Sequence, residues 1–187
     1  MNAQVPPPRI QSAYSQWVAA SRGEINAIYL ARMLAAQREG HSALSSHLGL
    51  DAPEFAALLD FFFPEPRPLS SAFEPAPVAE LPEMPQLETL LNSFRAGRCE
   101  SEVWLARILA SACAGQEHLW YDLGLWNRED LQNLLRHNFP ELVRRNSLDM
   151  KWKKFLYRQL CLETGATLCR APSCQECSDF VECFGPE

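Results

Sequence analysis

An all-α fold is predicted by three features of the 187-residue sequence. Apolar residues recur with a period near 3.6 rather than 2, and β-branched residues are scarce, which disfavours strands. A stretch near residue 30 is repeated near residue 105. Seven of the fourteen prolines fall between Pro64 and Pro85, where no helix or ladder strand survives, because each proline lacks an N–H and restricts the residue before it. Together these predict two related helical units joined by a Pro-rich linker, with a cysteine-rich C-terminal loop, in one compact domain.

Taken in order, residues 1–11 read as a flexible tail and 12–63 as the first helical unit. The segment 64–85 reads as the linker, extended where ordered. Residues 86–162 read as the second helical unit plus a basic helix, and 163–187 as the cysteine-rich loop. The units are related through Tyr29-Leu30-Ala31-Arg32-Met33-Leu34-Ala35, which aligns with Trp104-Leu105-Ala106-Arg107-Ile108-Leu109-Ala110 at an offset of 75. Leu48-Gly49-Leu50 aligns with Leu123-Gly124-Leu125 at the same offset. One inserted residue later, Leu58-Leu59 and Phe63-Pro64 align with Leu134-Leu135 and Phe139-Pro140. Each unit therefore reads as an amphipathic helix, a short helix closed by Gly, a further helix and a Phe-Pro stop. Arg32 and Arg107, like Gly49 and Gly124, occur in both copies and are expected to serve the scaffold. Cys113 and His118 stand where the first copy has Arg38 and Ala43, so the shared scaffold does not require them.

After Pro140 a helix is expected over about Ser147 to Leu162, with Ser147 as its N-cap. At 100° per residue, Leu148, Trp152, Phe155 and Leu156 share one face, and Met150, Lys154, Tyr157 and Cys161 the opposite one. A helix apolar on both sides is expected to be central.

Charge and hydropathy narrow the function. The net charge of −6 argues against general nucleic-acid binding, which needs clustered positive charge to displace counterions. No apolar run approaches the roughly 20 residues of a membrane helix; the longest, Phe55 to Phe63, is interrupted by Asp60. Three consecutive prolines and no apolar core near the N-terminus argue against a secretory signal, so a cytoplasmic protein is expected. No phosphate-binding glycine loop or nucleophile motif is present, which points away from a conventional enzyme.

Seven cysteines in a chain without export signals fit a reducing compartment, where thiols pack or ligate metals. Four of them, Cys169, Cys174, Cys177 and Cys183, form a C-x4-C-x2-C-x5-C run. Four thiolates on so short a loop can converge on one compact object if the chain wraps around it, and a cuboidal iron–sulfur cluster suits this. Structural zinc normally uses two short Cys pairs a dozen or more residues apart, and only Cys174 and Cys177 make such a pair. Two disulfides would need an oxidising compartment. Cys99 and Cys113 read as packed side chains. Cys161 and His118 stand as further candidate metal contacts.

Every lysine of the chain lies in one turn, at Lys151, Lys153 and Lys154. The stretch Arg136 to Arg158 carries a local charge of +5, leaving −11 on the remainder. Such a cluster is a solvated helix turn, a site for a small tetrahedral anion, or a docking patch for an acidic partner.

The run Met150-Lys151-Trp152-Lys153-Lys154-Phe155, then Tyr157-Arg158-Gln159-Leu160-Cys161, then the cysteine run ending in Cys183-Phe184-Gly185-Pro186-Glu187, resembles the NifQ family of nitrogen-fixation proteins. His118-Leu119-Trp120-Tyr121-Asp122-Leu123-Gly124-Leu125 resembles that family too. The resemblance runs from about residue 24 to the end, excluding the linker. It implies a protein that carries a molybdenum–iron–sulfur cluster and supplies molybdenum for the iron–molybdenum cofactor of nitrogenase. Its expected partners are the cofactor-assembly proteins (a scaffold and a reductase) and molybdate, with no nucleic acid and no membrane. Carried onto this chain, Cys169, Cys174, Cys177 and Cys183 become the cluster ligands. With molybdenum at one corner, three cysteines suffice for iron, so the fourth, or Cys161, or His118, is free to face molybdenum. The competing expectations are an iron–sulfur electron-transfer protein, a cluster protein akin to helical DNA-repair glycosylases, and a zinc-stabilised interaction module.

Overall fold

The computed structural model describes residues 6–64 and 82–164, and among these it contains nine helices and no strand. The first unit consists of α1 (Pro8–Ala19), α2 (Ile25–Arg38) and α3 (Ala52–Phe62). The second consists of α4 (Met84–Ser93), α5 (Ser101–Ala112), the single-turn α6 (Leu119–Asp122) and α7 (Arg128–Asn138). Two further helices, α8 (Pro140–Arg145) and α9 (Trp152–Thr164), have no counterpart among the described residues of the first unit. The expected linker, apart from its two ends, and the cysteine-rich loop lie outside the described residues.

The repeat extends beyond the aligned segments. Helix α1 buries Ile10, Ala13 and Trp17, and α4 with its C-cap buries Leu87, Leu90 and Phe94 at a constant offset of 77. Both helices open with a proline in the first turn, where its missing N–H is no loss. Each then packs along the long helix that follows it, α1 on α2 and α4 on α5. The third helices are capped at equivalent positions. The Asp51 carboxylate accepts from the Glu54 backbone N–H at 2.8 Å, and the Asn127 side chain accepts from that of Asp130 at the same distance.

The two units are interleaved. Helix α2 packs on α7 of the other unit, and α5 packs reciprocally on α3. Arg32 of α2 forms an ion pair with Asp130 of α7, while Arg107 of α5 pairs with Glu54 of α3 at 2.5 Å. The glycines repeat this exchange. Gly49 (φ +86°) lies against Ser111 of α5, and Gly124 (φ +76°) lies against Ala36 of α2, 75 positions earlier than Ser111. A Cβ at either glycine would penetrate the facing side chain, and the left-handed backbone disfavours one anyway. The shared geometry is therefore a pseudo-twofold, in which each unit supplies a first-turn carboxylate, Glu54 or Asp130, and the glycine that receive the other's long helix.

One hydrophobic cluster runs through both units. The phenylalanines of the two Phe-Pro stops, Phe63 and Phe139, are fully buried, each contributing roughly 2–3 kcal/mol of transfer free energy. Asn26 and Asn138 meet inside it with paired amides, each donating to the other at 2.8 Å, so that buried polar atoms are satisfied across the α2–α7 contact.

Four boundaries differ from expectation. Helix α1 starts at Pro8, inside the expected tail, and α4 starts at Met84, inside the expected linker. Residues 42–50 form turns instead of a short helix. The helix expected from Ser147 begins instead at Trp152. Its start is delayed by the Asn146 side chain, which accepts from the Met150 N–H at 2.9 Å and donates to the Met150 carbonyl at 2.8 Å, with Asp149 at φ +54° between them. Leu148, expected on the core face, is consequently exposed. The buried face of α9 is Trp152, Phe155, Leu156, Gln159 and Leu160, which packs in part on α4. No helix among the described residues is long and apolar enough to cross a membrane.

Candidate functional site

Cys169, Cys174, Cys177 and Cys183 lie outside the described residues, five and more positions beyond Thr164 at the end of α9. Among the described residues, no group of three or more His, Cys, Asp or Glu side chains is placed to hold a metal ion. What the described part builds is the frame around the other end of α9.

There, the 116–120 segment faces the first turn of α9 across a cleft of about 240 Å³. His118, Leu119 and Trp120 form one wall, and Lys151, Trp152, Lys153 and Lys154 the other. The cleft is held open by a buried ion pair. The Asp122 carboxylate, almost fully buried, accepts from the Lys153 ammonium and from the Glu117 backbone N–H at 3.1 Å. Lys153 also donates to the Gly115 carbonyl at 2.8 Å. Gly115 is needed for this approach, since a Cβ there would overlap the Asp122 carboxylate. Lys153 thus pins α9 to the loop after α5, and its charge is matched by Asp122.

Lys151 and Lys154 are different. Neither has an ion-pair partner among the described residues, and both line the cleft. The first turn of α9 contains no acidic residue. Lysines at a helix start oppose the macrodipole, whose positive end lies there, so this turn is a locus of uncompensated positive potential. Trp152 is buried, and the indole N–H groups of Trp152 and Trp120 have no acceptor among the described residues.

Cys113 lies just behind the pin, capping α5. Burial pushes its thiol up to about 12, with Lys153 pulling it down and Asp122 adding to the rise. Tyr157 on α9 is likewise pushed up to about 12, first by burial and then by the neighbouring Cys113 and Glu83. Cys113 is therefore a protonated, packed thiol, as its sequence context suggested. Cys99 is exposed. Cys161 is partly exposed and does not line the cleft; ten residues beyond Lys151, it lies roughly 15 Å along the helix. His118 and Cys161, both candidate metal contacts from sequence, are therefore not brought together. Asp122 was missed by sequence reasoning. The available signal was its replacement of His47, the equivalent residue of the first unit.

Comparison with known proteins gives one consistent result. The NifQ family model matches residues 29–185. Protein NifQ of Azotobacter vinelandii is 42% identical over 174 residues, spanning 87% of this chain and 89% of that protein. Protein NifQ of Rhodobacter capsulatus is 40% identical over 149 residues, spanning 79% and 81%. A NifQ homolog of Sinorhizobium fredii is 33% identical over 181 residues, spanning 96% and 76%. No solved structure matches the chain.

Proposed function

Since the chain belongs to the NifQ family, which is implicated in nitrogen fixation, we propose that it is a metallocluster carrier. In this reading it binds a molybdenum–iron–sulfur cluster as cargo and supplies molybdenum for assembly of the iron–molybdenum cofactor of nitrogenase. The observation that carries the reading is the C-x4-C-x2-C-x5-C run of Cys169, Cys174, Cys177 and Cys183. Thiolates are soft donors suited to iron in a sulfide cluster, and a cuboidal cluster takes one ligand per corner. With molybdenum at one corner, three of the four cysteines hold iron and one position is left for molybdenum. Cys161, eight residues before Cys169 and partly exposed, is the nearer additional donor along the chain; His118 stands at the opposite end of α9. The protein acts as a donor rather than an enzyme, in the cytoplasm, toward the scaffold and reductase that build the cofactor.

Elemental analysis of anaerobically purified protein tests this, with molybdenum, iron, zinc and acid-labile sulfide measured per chain. Iron, sulfide and molybdenum together support the carrier; alanine at three of the four cysteines should lower the iron content, and at the fourth it should leave iron in place. Iron and sulfide without molybdenum after growth in molybdate would leave an electron-transfer cluster. Zinc alone would leave a structural module.

A further inference from the structure

We propose that the cleft between the 116–120 segment and the first turn of α9 binds one small tetrahedral oxyanion, held by Lys151 and Lys154. Assignment of that oxyanion as molybdate rests on the carrier reading; the anion class rests on the cleft alone.

Three observations converge on it. Lys151 and Lys154 line the cleft without a carboxylate partner among the described residues, whereas Lys153, one of the three lysines in this turn, is matched by Asp122. The positive end of the α9 macrodipole lies at the turn that carries these lysines, and no acidic side chain in that turn offsets it. Lysine-rich helix starts are unfavourable until an anion is present. Finally, about 240 Å³ is below the roughly 300–1,000 Å³ of sites for organic ligands, so the cleft suits an ion better than a cofactor.

The charge balance selects a dianion. Two unmatched ammonium groups neutralise two negative charges, and the exposed Glu117 at the rim opposes anything more negative. Rigidity comes from the Lys153–Asp122 pin, which fixes both walls before any ligand arrives. The site also stands at the opposite end of α9 from the cysteine run in sequence, so an incoming oxyanion and a resident cluster need not compete for the same donors.

The test is equilibrium dialysis of the full chain, purified anaerobically, against molybdate, tungstate, sulfate and phosphate. One oxyanion per chain is expected. Replacing Lys151→Gln and Lys154→Gln together should weaken it at least about tenfold, since two charge-assisted hydrogen bonds are removed. Both side chains are solvent-accessible, and unchanged helical circular dichroism will show that the fold survives. Arg144→Gln, exposed on α8 outside the cleft, should leave it unchanged. No saturable binding, or full binding by the double lysine variant, overturns the site. Sulfate or phosphate binding as tightly as molybdate overturns the molybdate assignment. Metal content of the same preparation separates the two readings: a chain without iron or molybdenum that still binds oxyanion breaks the carrier alone, and a loaded chain that binds none breaks the cleft alone.

Discussion

Where the first unit has Arg38, Ala43 and His47, the second has Cys113, His118 and Asp122. In the first unit His47 stacks on Phe55, with ring centroids 4.9 Å apart, and its turn segment leans on the second unit through the Ala43 N–H donating to the Asp122 carbonyl at 2.9 Å. In the second unit the equivalent corner is crossed by α9, and Asp122 receives Lys153. The same frame has therefore been closed by aromatic packing on one side and by a buried ion pair on the other. Among the described residues, the lysine-lined cleft lies on the side met by α9, between that helix and residues the first unit does not share.

The sharpest way to break this comparison is at position 122. Asp122→Ala leaves the Lys153 ammonium without its partner and should cost about 3 kcal/mol, the low end for breaking a buried pair because Lys153 retains some solvent contact. Thermal unfolding should show a fall of roughly 6–12 °C for a chain of this size. His47→Ala, at the equivalent place, removes only a stacked ring and should cost about 1 kcal/mol. Equal losses would mean that the two corners are closed by comparable forces.

The glycines test the symmetry itself. Gly49→Ala and Gly124→Ala should each cost about 2–3 kcal/mol, from a left-handed backbone and an overlap with the facing helix. Ser111→Gly should recover part of the first loss and none of the second, and thermal melts of the single and double variants measure this directly. The arginines should then diverge. Arg32 and Asp130 are mostly buried, and Arg32 also lies over the Trp126 ring at 4.3 Å, so Arg32→Gln should cost about 2 kcal/mol. Arg107 and Glu54 are about a third exposed, and solvent screening should hold Arg107→Gln near 1 kcal/mol despite its second partner, Glu88. Reversal of that order in urea unfolding would show that the pseudo-twofold is not weighted toward its buried side.

Much of this frame was legible in the sequence. The 3.6 periodicity gave an all-α protein, and the 75-residue repeat marked Arg32, Arg107, Gly49 and Gly124 as scaffold residues before their reciprocal contacts were visible. The kinship of α1 and α4 was not legible, because they share only a buried pattern at a shifted offset and no run of identical residues. The start of α9 was hidden for another reason. Ser147 is a good N-cap by propensity, but the Asn146 clasp on Met150 overrides it. The Asp122–Lys153 pin joins residues 31 positions apart on different elements, and no local pattern announces such a pair. Of the candidate site, sequence reasoning grouped three lysines as equals, whereas burial and pairing separate Lys153 from the other two. The cysteine run is legible as a motif alone, since it lies outside the described residues.

The smallest expected effect concerns the thiol that replaces Arg38. In the folded chain burial raises Cys113 to about 12, whereas in the unfolded chain it titrates near the ordinary thiol value of about 8.5. Its folded-state affinity for the proton is the higher one, so its contribution to stability is complete below the unfolded value. That contribution is lost as pH rises between the two, because the unfolded chain releases a proton that the folded chain retains. By pH 9.5 the loss should be about 1 kcal/mol. Comparing the pH dependence of stability between the native chain and Cys113→Ala isolates this slope from the other thiols, and the difference should be near nothing at pH 7, appear above about pH 8.5 and keep growing as pH rises toward the folded value. In the same window iodoacetamide should modify the exposed Cys99 readily and Cys113 only on unfolding, as peptide mass spectrometry would report. Rapid labelling of Cys113 at pH 8 would mean that the corner beside the Lys153–Asp122 pin opens to solvent, and that the second unit's difference from the first is one of mobility as well as charge.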